Sequence, residues 1–371
     1  MPLRVLIAPD KFKGTLSARE AAQAMAHGWR KARPADVLEL LPISDGGDGF
    51  GQVMSDLLGG KPERVNTVDA AHRPCVTTWW WSAKTKIAIL ESAQVIGLAM
   101  LPRGKFHPFQ LDTFGLGAVV RAARNRGAKQ IIIGIGGSAT NDGGFGLARA
   151  LGWKFFDHAG KAIVRWTQLA ELATLQSPLP RLKSKILVAV DVENRLLGAR
   201  GATRVYGPQK GLRPEDFATA ERCLRKVAGA LKRELGADHS KTPGAGAAGG
   251  LGFGLLAFCG AKAQPGFELF AKHAKLSQRL QRADLIVTGE GAIDASTAMG
   301  KGVGQLAKRC RAQKIPCVGL GGRVKREPVV QKMFQVVHGL TDFHPSTAAQ
   351  RSPKKHLASL AERVAAGWKE T

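Results

Sequence analysis

Residues 133–144, read as IGIGGSATNDGG, constrain this chain more than any other stretch. Before them runs Gln130-Ile131-Ile132-Ile133, the β-branched composition of a buried strand. After them Phe145-Gly146-Leu147-Ala148-Arg149-Ala150-Leu151 predicts a helix. A strand that passes through glycines into a helix is the grammar of an α/β sheet. Glycines such as Gly136 and Gly137 let backbone N–H groups approach an anion. Ser138, Thr140 and Asn141 add donors, and the helix N-terminus adds a favourable dipole. Two readings stand at this point: a phosphate-binding loop, or a tight turn that binds nothing.

Three further segments repeat the pattern. Val5-Leu6-Ile7-Ala8-Pro9 leads into Asp10-Lys11-Phe12-Lys13-Gly14-Thr15, and Leu40-Leu41-Pro42-Ile43 into Ser44-Asp45-Gly46-Gly47-Asp48-Gly49. Leu285-Ile286-Val287 leads into Thr288-Gly289-Glu290-Gly291-Ala292-Ile293-Asp294. Ligands of open α/β sheets bind beyond the carboxyl ends of strands. Glycines and carboxylates gathered there suit a phosphate chelate carrying Mg²⁺. Four such loops in one chain point to an active site.

The segments IAPDKFKGTLSA, SDGGDGF, IGIGGSATNDGG, Asp191-Val192-Glu193-Asn194, YGPQKG, PGAGAAGGLG and TGEGAID run in order from Ile7 to Lys301. In that order and spacing the chain resembles the type-1 glycerate kinase family over nearly its whole length. The resemblance implies an enzyme that phosphorylates glycerate with ATP and Mg²⁺ in the cytoplasm. It also implies an α/β fold of two domains with the active site in the cleft between them. One domain would be flavodoxin-like, doubly wound and built from both chain ends, residues 1–66 and 280–371. The other, residues 67–279, would be an inserted mixed α/β domain. Within the family the 2-hydroxyl is the usual acceptor, which gives 2-phosphoglycerate.

Strand-end placement together with the resemblance selects candidate residues. Asp10, Lys13, Ser44, Gly46, Gly47, Gly136, Gly137, Ser138, Asn141, Asp142, Gly244, Gly246 and Gly289 are expected to contact substrate or nucleotide. Asp45, Glu290 and Asp294, with Asp48, form the pool for Mg²⁺. Phosphoryl transfer needs a carboxylate that accepts the hydroxyl proton. Asp191, ending the strand Ile186-Leu187-Val188-Ala189-Val190, is the candidate base, on the expectation that a buried strand terminus holds it rigidly, or else a strand-end cap. Lys210 and Lys301 are candidates for balancing phosphate charge, or are surface lysines. Lys13 meets an anionic group or solvent. Asp10 faces the site or bonds its own turn. Glu91 and Ser92 line the cleft or make structural hydrogen bonds.

Other features sharpen the picture. Ser17-Ala18-Arg19-Glu20 is a capping box, and Ala21, Met25 and Trp29 follow at helical spacing until Pro34. No Walker A sequence is present. A formal G-x-G-x-x-G at Gly244, Gly246 and Gly249 follows loop residues rather than a strand, so it fails as a dinucleotide fingerprint. Followed by a helix expected over residues 247–259, it is read as a phosphate or substrate contact, with close packing as the alternative.

At 371 residues the chain suits two domains. No apolar run reaches the roughly 18 residues of a membrane span, and no secretory signal opens the chain. The five cysteines show neither a C-x-x-C pair nor metal-ligand spacing and read as reduced core thiols. The formal charge of +26 comes from 55 basic and 29 acidic residues. The basic residues are scattered and carry no nucleic-acid-binding signature, so the expectation is a solvated basic surface with non-specific polyanion binding only. The same field would draw in anionic substrates.

Several positions depart from the family pattern. Asn194-Arg195-Leu196 stands where Asn-Pro-Leu is usual, and Ser296 where glutamine is common. Gly302-Val303 lacks the usual proline, and Asp48 replaces a common glutamate. These changes leave open a diverged protein that binds a phosphometabolite or nucleic acid, or a kinase for another hydroxy acid.

Overall fold

Ser17 starts the first helix as its sequence predicts. Its hydroxyl accepts from the Glu20 N–H at 3.2 Å, while the Glu20 carboxylate accepts from the Ser17 N–H at 2.9 Å. Residues Ala18–Ala32 then form the helix, with Ala21, Met25 and Trp29 buried in one stripe. The computed structural model describes residues 1–178, 184–300, 302–345 and 351–368.

The strands in chain order are β1 (Arg4–Ile7), β2 (Val37–Leu40), β3 (Lys61–Val68), β4 (Pro74–Ser82), β5 (Ile87–Glu91), β6 (Gln130–Gly134), β7 (Lys154–Asp157) and β8 (Leu172–Gln176). They continue with β9 (Lys185–Ala189), β10 (Lys262–Gln264), β11 (Leu285–Thr288), β12 (Ala292–Ile293), β13 (Cys317–Gly321), β14 (Arg323–Val324) and β15 (Val336–Gly339). The chain divides into two compact units, residues 1–45 with 267–371, and residues 46–266.

The first unit holds an all-parallel sheet in the order β15-β13-β11-β1-β2. Renumbered within the sheet this is the 2-1-3-4-5 order of doubly wound, flavodoxin-like folds. The chain leaves β1 for β2 on one side and returns on the other at β11. The topological switch point therefore lies between β1 and β11. The first helix and the helix Pro353–Gly367 share one core with this sheet, built from Met25, Trp29, Val287, Val318, Leu357 and Leu360 among others.

The second unit carries a six-stranded mixed sheet, β10-β9-β6-β5-β4-β3. β10, β9, β6 and β5 are parallel, and β4 and β3 run antiparallel as an appended hairpin. Ile131, Ile133, Ile186 and Val188 fill its core with Phe145, Phe253 and Phe258.

Two expectations about boundaries are revised. Residue 66 falls inside β3, whose full length pairs with β4, so that hairpin belongs wholly to the second sheet. The strand expected at residues 40–43 lies earlier, ending at Leu40. Its bonding to β1 continues irregularly, with Leu41 N–H donating to the Ile7 carbonyl at 2.8 Å and Ile43 N–H to that of Pro9 at 2.9 Å. Pro42 between them has no N–H to offer.

Candidate active site

In the first unit the loops after β1, β2 and β11 bring acidic groups to the carboxyl ends of the strands. Asp10 lies just past β1. Its N–H donates to the Gly289 carbonyl at 2.8 Å, and its Oδ1 accepts from the Lys11 N–H at 2.7 Å. Burial, reinforced by the charges of Asp45 and Glu290, pushes its carboxyl up to about 7. Asp10 and Glu290 thus flank the switch point, with Asp45 half-buried nearby on the loop after β2 and Ser44 buried before it. Lys13 is exposed.

Asp294 follows Glu290 on the loop after β11. It caps the short helix Ala295–Ala298, where its Oδ1 accepts from the Ser296 N–H at 2.8 Å and from the Ser296 hydroxyl at 2.5 Å. Thr297, which the sequence did not single out, connects the two acids. Its fully buried hydroxyl donates to Glu290 Oε1 at 2.7 Å and accepts from the Asp294 N–H at 3.2 Å. The serine that stands in place of glutamine is thereby spent on the cap. Lys301 lies outside the described residues.

Among the described residues no three His, Cys, Asp or Glu side chains come close enough to hold a metal ion by themselves. The donors at the switch point are all carboxylate oxygens, and the charges of Asp45 and Glu290 act on Asp10. That set fits Mg²⁺, which keeps waters and takes phosphate oxygens beside one or two carboxylates.

In the second unit the loops after β5, β6 and β9 interlock. Glu91, at the end of β5, accepts from the Gly49 N–H and the Gly51 N–H, each at 2.9 Å, and so fixes the loop that begins at Gly46. Gly136 N–H donates to the Gly46 carbonyl, and a Cβ on Gly136 would sit 2.7 Å from the Gly47 Cα. Ser138 is buried and pairs as a bridge with Gly97, while Gly137 is exposed.

Asp142 is corrected from a ligand contact to a staple. It is fully buried, and its carboxylate accepts from the Thr113 N–H at 2.9 Å, the Thr113 hydroxyl at 2.7 Å, the Gly146 N–H at 2.9 Å and the Gly144 N–H at 3.2 Å. Burial, and next the charge of Asp112, push it up to about 6. Lys210 is likewise no free phosphate partner. Only 6% exposed, its ammonium donates to Ser138 Oγ at 3.0 Å and to the Thr140 carbonyl at 2.7 Å. Burial lowers its pKa to about 7. Asn141 donates through Nδ2 to Thr203 Oγ1 at 3.1 Å, and its Oδ1 and the Thr140 hydroxyl are buried with no partner among the described residues.

The glycine-rich loop at Gly244 and Gly246 takes the packing alternative. Both residues are buried, and a Cβ on Gly246 would meet the Arg195 carbonyl oxygen at 2.3 Å. The expected helix Ala247–Cys259 is present, but Ala248, Gly249 and Gly250 adopt left-handed angles. Asp191 also differs from expectation. It lies beyond β9 on an exposed loop, held through Oδ1 by the Gly266 N–H at 2.9 Å, at the start of the helix Gly266–His273. Asn194, three residues on, accepts from the Tyr206 hydroxyl, a partnership that the sequence did not single out.

Comparison with known proteins matches residues 5–369 to the model of the glycerate kinase family. The glycerate kinase of Halalkalibacterium halodurans is 38% identical over 322 residues, 86% of this chain and 85% of that protein. The glycerate 2-kinase of Escherichia coli (strain K12) is 36% identical over 330 residues, again 86% and 85%. A crystal structure of a protein assigned as glycerate kinase 2 from Salmonella typhimurium LT2 superposes with a TM-score of 0.85 at 33% identity, covering 99% of this chain and 98% of that one.

Proposed function

Because the chain belongs to the glycerate kinase family, we propose that it transfers the γ-phosphoryl group of ATP to the 2-hydroxyl of D-glycerate, giving 2-phosphoglycerate. The choice of hydroxyl follows the name of the Escherichia coli relative. One observation carries the reading: Asp10, Asp45 and Glu290 gather acidic oxygens at the β1/β11 switch point of a doubly wound sheet. That is where such folds bind ligands.

Asp45 and Glu290, backed by Asp10, would hold Mg²⁺, which when bound neutralises charge on the transferring phosphates. Ser44 and Gly289 shape the loops beside them. Asp191 is the proposed base for the acceptor hydroxyl. The Gly266 N–H donates to one carboxylate oxygen at 2.9 Å on an exposed loop, and a carboxylate is the group that takes the hydroxyl proton late in such a transfer. Ser138 and the loop around it supply hydroxyl and N–H donors for an anionic acceptor. An ATP-dependent enzyme with five free thiols is at home in the cytoplasm.

The test is ADP release with Mg-ATP and D-glycerate, the product identified by NMR. Glycerate-dependent turnover to 2-phosphoglycerate is expected. Folded protein that binds ATP without glycerate-dependent turnover would overturn the acceptor. Asp191→Asn is expected to lower kcat by about 10²–10⁴-fold with the unfolding midpoint unchanged. Near-normal turnover would remove Asp191 from the mechanism.

A further inference from the structure

The helix Ala202–Tyr206 and the turn Pro208–Lys210 form one short crosspiece in the second unit. Near both of its ends it is tied to the loop after β6. Thr203 Oγ1 accepts from Asn141 Nδ2, and Lys210 donates to Ser138 and Thr140. Between those two ties the Tyr206 hydroxyl donates to Asn194 Oδ1 of the loop after β9 at 2.6 Å, and the Ala202 N–H donates to the Leu196 carbonyl of the same loop at 3.0 Å.

Asn194 concentrates the contacts of that loop. Its Nδ2 donates to the Arg200 carbonyl at 2.7 Å, and its own carbonyl accepts from the Gly246 N–H at 2.8 Å. The residues between Asp191 and Asn194 are exposed. The Gly266 N–H holds the Asp191 end of that stretch, and the bonds of Asn194 hold its other end. Resting on the reading of Asp191 as base, we propose that Tyr206 is a positioning residue for this reaction: through Asn194 it holds the loop that presents Asp191. Reacting groups displaced by about 1 Å lose on the order of 100-fold in rate. A bond that sets loop position therefore acts on kcat far more than on nucleotide affinity.

The chain contains one tyrosine, which makes the bond directly readable. Burial raises the Tyr206 phenol above its ordinary value, and donation to an amide oxygen also favours its neutral form. The tryptophans do not ionise, so the pH-dependent tyrosinate absorbance belongs to Tyr206 alone. In Asn194→Ala its ionisation is expected to move down in pH relative to the wild-type chain, whether or not the enzyme turns over. In Tyr206→Phe, which keeps the ring and its packing, kcat is expected to fall about 10- to 100-fold, with KM for ATP changed less than about twofold.

An unmoved tyrosinate titration in Asn194→Ala would overturn the proposal, as would wild-type kcat in Tyr206→Phe. A comparable rise in KM for ATP would make the bond a general structural contact and overturn it too. If wild-type protein fails to phosphorylate glycerate, the proposed function falls, and the titration alone then decides whether Tyr206 sets this loop.

Discussion

Lys210 carries its ammonium where water hardly reaches, so its protonation is coupled to folding. Its pKa falls from 10.5 to about 7 through burial, which the charge of Asp142 only partly offsets. Between pH 7 and 10 the unfolded chain therefore binds a proton that the folded chain has released, and stability rises with pH over that window. Below pH 7 both states are protonated, and the full cost of burying the charge is present. Lys210→Met keeps most of the aliphatic stem and removes the titration. Urea midpoints of the two proteins at pH 7, 8 and 9 should show the wild type gaining on the variant, by up to about 1.4 kcal/mol per pH unit. A constant difference would mean that Lys210 stays charged throughout. At this scale the sequence was legible where partners are local: the Ser17 and Glu20 cap follows from spacing alone. It misled where partners are distant. Asp142 reads as a loop acid available to a ligand, and only folding brings up Thr113 to occupy it. Asp191 reads as a buried strand end, yet β9 stops at Ala189 and leaves it exposed.

Among the elements, the helix Ala247–Cys259 shows how a loop's glycines serve packing. Gly249 has φ +68°, and a Cβ there would lie 1.9 Å from the Thr140 carbonyl oxygen. Backbone meets backbone at this point, and Gly143 N–H donates to the Gly249 carbonyl at 3.1 Å. Gly260, which caps the same helix at φ +62°, has open space around its Cβ position. The pair separates strain from collision. Gly260→Ala should cost about 1–2 kcal/mol, the price of a left-handed alanine. Gly249→Ala should cost about 3 kcal/mol or more, because the carbonyl of Thr140 must also move. Thermal unfolding of both variants measures the difference, and equal losses would show that the loops after β6 and before this helix are not packed as described. The continuous apolar run could locate this helix. It could not show that Ala248–Gly250 turn left-handed, because that conformation is set by the loop at residues 140–143 on which they rest.

For the molecule as a whole, the ordered glycine-and-acid segments identified a doubly wound sheet, because strand ends and turn residues are local signals. They misplaced where the first unit ends, because β3 looks like any other strand until it pairs with β4. The charge of +26 belongs to this scale as well, since no single cluster carries it. Both proposed substrates are anions, and an extended positive field raises their local concentration and encounter rate in proportion to how little salt is present. Raising ionic strength from about 0.01 to 0.15 M shortens the screening length from roughly 30 to 8 Å. The expected result is a fall of about tenfold in kcat/KM for glycerate over that range, with kcat at saturation nearly constant, because buried groups such as Asp10 and Lys210 are screened far less than surface charge. Steady-state kinetics at several salt concentrations, with free Mg²⁺ held fixed, makes the measurement. If kcat falls in step with kcat/KM, salt is acting on the bound state or on the fold. The basic surface would then have no part in substrate capture.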